Sequence, residues 1–323
     1  MVFDANDLPT IGITMGDAAG IGPEIVLRSL EQREAVGKYN ALIIGDGSHL
    51  RSVASQFGVS HILERDDVAV DDLGNLTEPI EIGTDNAVSG RASAEYIERA
   101  VRLWQDGRID AIATAPISKK AIALGGYDFP GHTEFLAKLT NTERFAMSFF
   151  AGELRVILLS THLPLTKAIE LVKRNRLVDL IEFSSEQLSR LLKRSPKIAV
   201  AGLNPHASEG GLFGTEEADE ITPAIEHCRG LGITVSGPYS PDTVFLRCSK
   251  GEFDAVIALY HDQATIPVKS MSFNSGVNVT LGLPLIRTSV DHGTAFEIAG
   301  KGIAECSSMT AAIDLAAKLV SGS

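Results

Sequence analysis

The stretch "TIGITMGDAAGIGPEI", residues 10 to 25, joins an apolar run to a helical pattern through a turn rich in glycine. The apolar run predicts a buried strand, and Pro23 suits the first position of the helix that follows. Such a turn either closes a tight strand-to-helix connection or lets the backbone approach a phosphate. The stretch lacks the GKS or GKT ending of a P-loop and does not fit G-x-G-x-x-G, so both interpretations stay open.

The same alternation of apolar runs and helical patterns continues along the chain. Six further runs predict strands: "ALIIG" 41–45, "DAIATA" 110–115, "RVILLS" 155–160, "KIAVAGL" 197–203, "GITVSG" 232–237 and "DAVIALY" 254–260. Helical spacing is found at residues 23–35, 93–105, 166–192, 215–229 and 307–323, whereas residues 65–88 predict an irregular excursion. This order predicts an α/β fold with a largely parallel sheet covered by helices.

Composition limits the classes of partner. A chain of 323 residues with 44% hydrophobic residues has room for one large or two ordinary α/β domains. Its net charge of -12 disfavours nucleic acid, while no apolar stretch approaches the roughly 20 residues of a membrane span, so we expect a soluble cytoplasmic protein. Cys228, Cys248 and Cys306 lack CxxC spacing, which favours small buried residues in a reducing compartment over a thiolate metal site.

Three histidines follow apolar runs at equivalent positions: His162, His206 and His261. Ligands of open parallel sheets bind outside the carboxyl ends of the strands, and three imidazoles leave metal positions open for a substrate. A histidine taken alone is more often a structural or hydrogen-bonded residue than a ligand, but the position shared by these three favours a metal site. Asp242 and Asp262 either orient these imidazoles or cap their loops.

A second group of polar residues suits an anionic substrate. In "FPGHTEF", His132 and Thr133 lie at a predicted helix start, where free N–H groups favour a phosphate or carboxylate, or where Thr133 acts as a plain N-cap. Lys269, Asn278 and Arg287 follow in a stretch that its glycines and prolines predict to be extended and turning. Arg287 suits bidentate binding of an anion, and Lys269 supplies a point charge.

Taken together, the motifs "ITMGDAAGIGPEI", "GHTEFLA", "GLNPHASEGG", "GPYSPDTVF", "YHDQATIPVK" and "GVNVTLGLPLIRTSVDHGTAFEIAGKG" occur in order from about residue 10 to 305. They resemble the 4-hydroxythreonine-4-phosphate dehydrogenase family of pyridoxal phosphate biosynthesis. The resemblance implies two α/β/α domains with mostly parallel sheets and a cleft between them, as in isocitrate and isopropylmalate dehydrogenases. We expect a first domain at residues 1–130 plus about 300–323, and a second at 131–300, in a homodimer whose partner subunit completes the active site.

The resemblance also implies residue roles. The metal ligands are His162, His206 and His261, and a divalent metal, Zn, Mg or Co, is expected. The substrate contacts are His132, Thr133, Lys269, Asn278 and Arg287, with Lys269, Asp242 and Asp262 as catalytic candidates. The loop "DHGTAFEIAGKGIA" is similar to the "HGSAPDIAGKGIANP" loop that wraps the adenosine half of the cofactor in isopropylmalate and isocitrate dehydrogenases. By that similarity NAD or NADP is expected at His292, Gly293, Thr294, Ala295 and Glu297.

The expected reaction is metal-dependent oxidation of the C3 hydroxyl of 4-phosphohydroxy-L-threonine, followed by decarboxylation to 3-amino-2-oxopropyl phosphate. The segment "APISKKAIALGGYDFPGHTEFLA", residues 115–137, is closer to the branch that acts on D-threonate or D-erythronate 4-phosphate, and Ala18 stands where the family usually has proline. Two alternatives from other classes are a non-redox metal-dependent lyase or hydrolase and a ligand-binding protein that has lost turnover.

Overall fold

The computed structural model describes residues 3, 8–32, 38–271 and 276–322, which form two compact units. The first unit comprises Met1–Glu143 with Leu283–Ser321, and the second comprises Arg144–Gly282. The sequence had placed these boundaries at about 130 and 300. The first boundary falls after Glu143, because Phe135 and Leu136 pack in the core of the first unit.

The described residues alternate between strands and helices along the chain. The strands are β1 (Thr10–Thr14), β2 (Asn40–Gly45), β3 (Val68–Asp72), β4 (Ala111–Thr114), β5 (Ala146–Ala151), β6 (Leu154–Leu158), β7 (Ile198–Ala201), β8 (Val235–Tyr239), β9 (Ala255–Ala258), β10 (Val277–Leu281) and β11 (Ile286–Ser289). The α-helices are α1 (Gly22–Gln32), α2 (Gly47–Gln56), α3 (Ala87–Gln105), α4 (Lys119–Leu124), α5 (His132–Leu139), α6 (Leu165–Glu170), α7 (Arg174–Leu192), α8 (Thr222–Gly230), α9 (Val244–Ser249), α10 (His261–Met271) and α11 (Ser307–Ser321). Short 3-10 turns lie at Ser60–Glu64 and Phe296–Ile298, and a π-helical turn lies at Glu217–Ile221.

The first unit is built on a parallel sheet with the strand order β3-β2-β1-β4-β11. Its central strands are buried on both faces, which is why they appear in the sequence as continuous apolar runs. Ile11 and Ile13 on β1 are fully buried in the hydrophobic core of this unit. Their burial fixes the position of the glycine-rich turn that follows β1.

The second unit has the strand order β10-β5-β6-β9-β7-β8. Strands β6, β9, β7 and β8 run parallel, while β5 is antiparallel to both of its neighbours. The carboxyl ends of β6, β9 and β7 therefore lie side by side at one edge of the sheet. That edge is where a parallel sheet presents its ligand-binding loops.

The predicted α/β class with a mostly parallel sheet is confirmed, and each of the seven apolar runs contains a strand. The excursion at 65–88 was wrong in part, because β3 pairs in parallel with β2 although its side chains are only half-buried. The helix predicted at 166–192 is divided into α6 and α7, and residues 33–35 of the first predicted helix lie outside the described residues.

The three cysteines are buried and form no disulfide. Burial and, to a smaller extent, the charge of the nearby Glu182 raise the pKa of the Cys228 thiol to about 11, so this thiol is protonated at neutral pH. Cys228 thus behaves as the small apolar residue that its spacing predicted. Within the described ranges, no helix combines the length and the apolar character that crossing a bilayer requires.

Candidate functional site

The three strand-end histidines of the second unit lie on loops that follow neighbouring strands. His162 follows β6, His261 follows β9 and His206 follows β7. The rings of His162 and His261 are close, with centroids 5.5 Å apart. In the part of the chain that the structure describes, no three His, Cys, Asp or Glu side chains are grouped so as to hold a metal ion. The fold thus brings two of the imidazoles together and places the third on the loop of the adjacent strand.

Helix α10 begins at His261, and hydrogen bonds between side chains and backbone hold this start in place. The backbone N–H of Leu259 donates to Oε1 of Gln263 at 2.7 Å, and the Ser160 hydroxyl donates to the Leu259 carbonyl at 2.9 Å. Nε2 of Gln263 donates to the Gly202 carbonyl at 2.8 Å, which connects the ends of β9 and β7. Ser160 and Gln263 were not singled out from the sequence, and only their places beside two strand ends could have indicated them.

The two candidate orienting carboxylates contact two of the histidines. Oδ1 of Asp262 lies 2.8 Å from Nδ1 of His261, which leaves Nε2 as the ring nitrogen that can bind a metal. Oδ2 of Asp242 lies 3.9 Å from Nδ1 of His206, and its other oxygen accepts a hydrogen bond of 2.6 Å from the Ser240 hydroxyl. Asp242 therefore both contacts an imidazole and closes its own turn. Imidazoles with carboxylate partners are donors of the type that a divalent metal ion accepts, and within the described residues two of the three imidazoles, those of His162 and His261, lie close together.

In the first unit, Arg287 is buried and lies near the half-buried His132, and these two residues together are the candidate anion pocket. Arg287 on β11 is 3% exposed, and its Nη2 donates to Oγ1 of Thr114 at 2.9 Å. Burial lowers the pKa of Arg287 to about 10, and the carboxylate of Glu134 opposes this shift. Burial lowers the pKa of His132 well below its usual value, and the charge of Arg287 lowers it further. At neutral pH the pocket therefore combines a charged guanidinium with a neutral imidazole.

The start of α5 also favours an anion. The helix begins at His132, as predicted, and its N-cap position is occupied by Gly131, which has no side chain that could cap it. Thr133 lies inside the first turn, so it does not act as the N-cap. Nε2 of His132 is buried and has no hydrogen-bond partner among the described residues. An anionic ligand bound at this helix start would satisfy the free backbone N–H groups of the first turn and the buried ring nitrogen of His132.

The predicted extended conformation around Lys269 was wrong, because this residue lies in the last turn of α10. Lys269 lies eight positions after His261 in this helix, which corresponds to about 12 Å along the helix axis and about 80° around the axis. The proline at position 267, which had suggested a turn, is accommodated inside the helix. Asn278 lies on β10, and its Oδ1 is buried without a hydrogen-bond partner among the described residues.

The predicted cofactor loop lies in the first unit beside the glycine-rich turn. His292, Gly293 and Glu297 are exposed, Ala295 has a left-handed backbone with φ 43°, and the carbonyl of Thr294 accepts a hydrogen bond of 3.0 Å from Ile21.

The N–H groups of the glycine-rich turn have partners within the protein. Oδ1 of Asp17 accepts a hydrogen bond of 2.9 Å from Ala19, and the carbonyl of Asp17 accepts one of 3.0 Å from Gly20. These contacts favour a tight strand-to-helix connection over a phosphate-binding loop.

A cavity of about 570 Å³ lies against the same turn and loop. Its wall includes Glu24, His49, Phe57, Ile80 and Gly300. Burial lowers the pKa of His49, while the charge of Asp46 raises it, and Nε2 of His49 has no hydrogen-bond partner among the described residues. The sequence analysis missed this cavity. The available signal was "GDGSHL" directly after β2, a polar segment at the carboxyl end of a parallel strand.

Comparison with known proteins gives consistent matches over almost the whole chain. The sequence model of the family described as "Pyridoxal phosphate biosynthetic protein PdxA" matches residues 37–316. The chain is 46% identical to D-threonate 4-phosphate dehydrogenase of Cupriavidus necator, with 97% of each chain covered. It is 45% identical to 4-hydroxythreonine-4-phosphate dehydrogenase of Desulfosudis oleivorans, with 96% of each covered. The crystal structure of 4-hydroxythreonine-4-phosphate dehydrogenase from Klebsiella pneumoniae superposes with a TM-score of 0.88 at 39% identity, covering 98% of this chain and 99% of that one.

Proposed function

Because the chain belongs to the family of the pyridoxal phosphate biosynthetic protein PdxA, we propose that it oxidises the C3 hydroxyl of a phosphorylated four-carbon acid with NAD or NADP and a divalent metal ion. The observation that carries the proposal is the placement of His162, His261 and His206 at the carboxyl ends of three adjacent strands. The enzyme is an oxidoreductase, as its relatives are. The identities of the metal, the cofactor and the substrate are part of this proposal.

In this mechanism His162, His206 and His261 would hold the metal through ring nitrogens. When bound, the metal supplies Lewis-acid chemistry, which lowers the pKa of the substrate hydroxyl and polarises the ketone that replaces it. Asp262 holds Nδ1 of His261 and so keeps the opposite nitrogen of that ring directed to the ligand. Asp242 lies 3.9 Å from Nδ1 of His206, which is too far for a hydrogen bond, so it acts on His206 through its charge.

Oxidation of the C3 hydroxyl would remove a hydride from C3 and a proton from the oxygen, and the nicotinamide, when bound, would supply the hydride acceptor. The product is a β-keto acid, whose carboxylate leaves as carbon dioxide while the electron pair of the broken C–C bond forms an enolate. A proton then has to reach the enolate carbon, and Lys269 is the candidate donor. Asn278 contributes its buried Oδ1 as a hydrogen-bond acceptor for the substrate.

The buried pocket of the first unit binds an anionic end of the substrate. Arg287 supplies a permanent charge, because its pKa of about 10 lies well above neutral pH. His132 is neutral there, so one of its ring nitrogens can donate a hydrogen bond without adding a second buried charge. Thr133 and the first N–H groups of α5 complete the set.

The loop with His292, Gly293, Thr294, Ala295 and Glu297 is proposed to hold the adenosine half of the dinucleotide. The adjacent cavity of about 570 Å³ has the size of a nucleoside site and carries apolar walls. Its wall includes the carboxylates of Glu24 and Glu78 and, among the described lining residues, neither lysine nor arginine. A 2′-phosphate would meet negative charge there, so NAD is expected in preference to NADP.

Two candidate substrates differ at C2, which carries an amino group in 4-phosphohydroxy-L-threonine and a hydroxyl group in D-threonate 4-phosphate. The identities of 45% and 46% to relatives named for either substrate do not separate them. The segment at residues 115–137 favours the acid-sugar phosphate. We also propose a cytoplasmic homodimer, on the resemblance alone.

The deciding experiment follows absorbance at 340 nm with 4-phosphohydroxy-L-threonine, D-threonate 4-phosphate and D-erythronate 4-phosphate, each with NAD or NADP and Co²⁺, Zn²⁺ or Mg²⁺. Metal-dependent reduction with one acid supports the proposal and identifies the substrate. Consumption of a substrate without a change at 340 nm would instead support the non-redox lyase or hydrolase. His206→Ala is expected to abolish turnover and to lower bound metal measured by elemental analysis, and wild-type turnover in that variant would reject His206 as a ligand.

A further inference from the structure

The turn that carries His206 has an unusual backbone. His206, Ala207, Ser208 and Glu209 all have positive φ angles, of 53°, 54°, 69° and 44°. Consecutive left-handed residues other than glycine are disfavoured by contact between Cβ and the following carbonyl oxygen, at roughly 1–2 kcal/mol per residue. Such a turn persists only where surrounding contacts determine it.

One buried carboxylate supplies those contacts. Glu217 is 4% exposed, and its Oε1 accepts hydrogen bonds from the backbone N–H groups of Leu203 at 2.8 Å and Asn204 at 2.7 Å. Its Oε2 accepts from Nδ2 of Asn204 at 2.9 Å and from the Ser208 hydroxyl at 2.6 Å. The contacts lie on both sides of His206 along the chain.

The carboxylate itself is held by local structure. Glu217 begins a π-helical turn, Glu217–Ile221, which runs directly into α8. Single π-turns of this kind are frequent at functional sites, because they direct one side chain out of the regular helical spacing. Packing on the other side is also tight, since a Cβ at Gly202 would lie 2.9 Å from Cα of Ala207 and 3.2 Å from Oε1 of Glu217. The turn therefore has little room to adopt another conformation while Glu217 is present.

The side chain of His206 itself is 61% exposed, and its Nδ1 lies 3.9 Å from Oδ2 of Asp242, beyond hydrogen-bond distance. Its direction is therefore set by the backbone of the turn. From these contacts we infer that Glu217 is a positioning residue for the metal site: its carboxylate holds the left-handed turn that carries the proposed ligand His206. This inference rests on the proposed function, because it assumes that His206 is a metal ligand.

The test measures Co²⁺ affinity by isothermal calorimetry and the d–d absorption of bound Co²⁺ in the full-length protein. Glu217→Gln keeps the size of the side chain but removes its charge and places an NH₂ group against Nδ2 of Asn204, so that two donors face each other. Loss of an outer partner of a metal ligand weakens metal binding about 10- to 100-fold, and we expect a change of that size with an altered absorption spectrum.

The matched control is Glu220→Gln, in the same π-helical turn. Glu220 contacts Nζ of Lys173 at 2.8 Å and the N–H of Arg174 at 2.7 Å, on a different element. The Glu220→Gln variant is expected to leave Co²⁺ affinity unchanged. A second comparison uses the His206→Ala background, in which Glu217→Gln should weaken Co²⁺ binding by less than about 2-fold, because the ligand that it positions is gone.

The outcomes separate the inference from the proposed function. If the wild type does not bind Co²⁺, the proposed metal site fails and the inference fails with it. If the wild type binds Co²⁺ and folded Glu217→Gln binds it equally well, or loses the same factor in the His206→Ala background, only the inference is overturned. Should Glu217→Gln not fold by circular dichroism, Ser208→Ala removes one of the four contacts, and its wild-type affinity and spectrum would overturn the inference.

Discussion

The buried charge of Arg287 is expected to favour binding of an anion but to lower the stability of the ligand-free protein. Its pKa is lowered to about 10 by burial, and since each pKa unit corresponds to about 1.4 kcal/mol, keeping the guanidinium charged in the folded state costs about 3 kcal/mol. Arg287→Met removes this cost and keeps most of the side-chain volume, but it loses the hydrogen bond to Oγ1 of Thr114, which contributes about 1 kcal/mol. We expect the ligand-free variant to be more stable by about 2 kcal/mol.

The measurement is urea unfolding of the ligand-free protein followed by circular dichroism at pH 7 and at pH 9. The folded pKa is lowered below the unfolded value, so the cost is fully present below pH 10 and is relieved as the pH rises above it. The gain should therefore be the same at both pH values.

A matched arginine gives the opposite sign. Arg99 donates to both oxygens of Asp71, and this contact raises its pKa, so its charge stabilises the folded state. Because Arg99 is about a third exposed, Arg99→Met should lower stability by only about 1 kcal/mol or less. A ligand-free Arg287→Met variant that is no more stable than the wild type would refute the reasoning that burial of this charge is costly.

Two further predictions concern the histidines. The pKa of His132 in the folded state is lowered below its value in the unfolded state, so the unfolded state gains a proton first as the pH falls through about 6.5, and stability decreases. In urea unfolding between pH 7 and pH 5, His132→Gln should make this loss of stability smaller. An unchanged pH dependence would contradict the prediction. Asp262→Asn keeps the size of the side chain beside Nδ1 of His261 but removes its charge, so Zn²⁺ affinity measured by competition with a chelator should fall about 10- to 100-fold. Asp66→Asn, at an exposed acidic residue of the first unit, is the control, and equal affinities of the Asp262→Asn variant and the wild type would reject the orienting role.

The fold was largely predictable because its parallel strands are buried on both faces and therefore appear as uninterrupted apolar runs. β3 was not, because its apolar part is only the three residues Val68–Val70, with two aspartates on either side, and only the parallel pairing with β2 makes it a strand. The helical conformation of Lys269 was missed for a related reason. Pro267 normally ends a helix, and tertiary packing of α10 overrides that local preference.

The candidate site was likewise predictable from the sequence only in part. The positions of His162, His206 and His261 after apolar runs were visible in the sequence, because strand ends converge in a parallel sheet. The groups that hold them were not visible, since Glu217 and Gln263 act through hydrogen bonds to backbone atoms that sequence spacing does not specify. The near-complete burial of Arg287 likewise depends on long-range packing, which no local pattern encodes.

The parallel pairing of β11 with β4 has a consequence for synthesis on the ribosome. Ile286 pairs with Ala111, so the first unit acquires its last strand only after the entire second unit has been translated. Until then β4 presents an unpaired hydrogen-bonding edge, which is a template for intermolecular pairing. A nascent chain of this protein therefore passes through a long interval in which its first half is incomplete, and a stop codon near position 282 should produce an aggregating fragment.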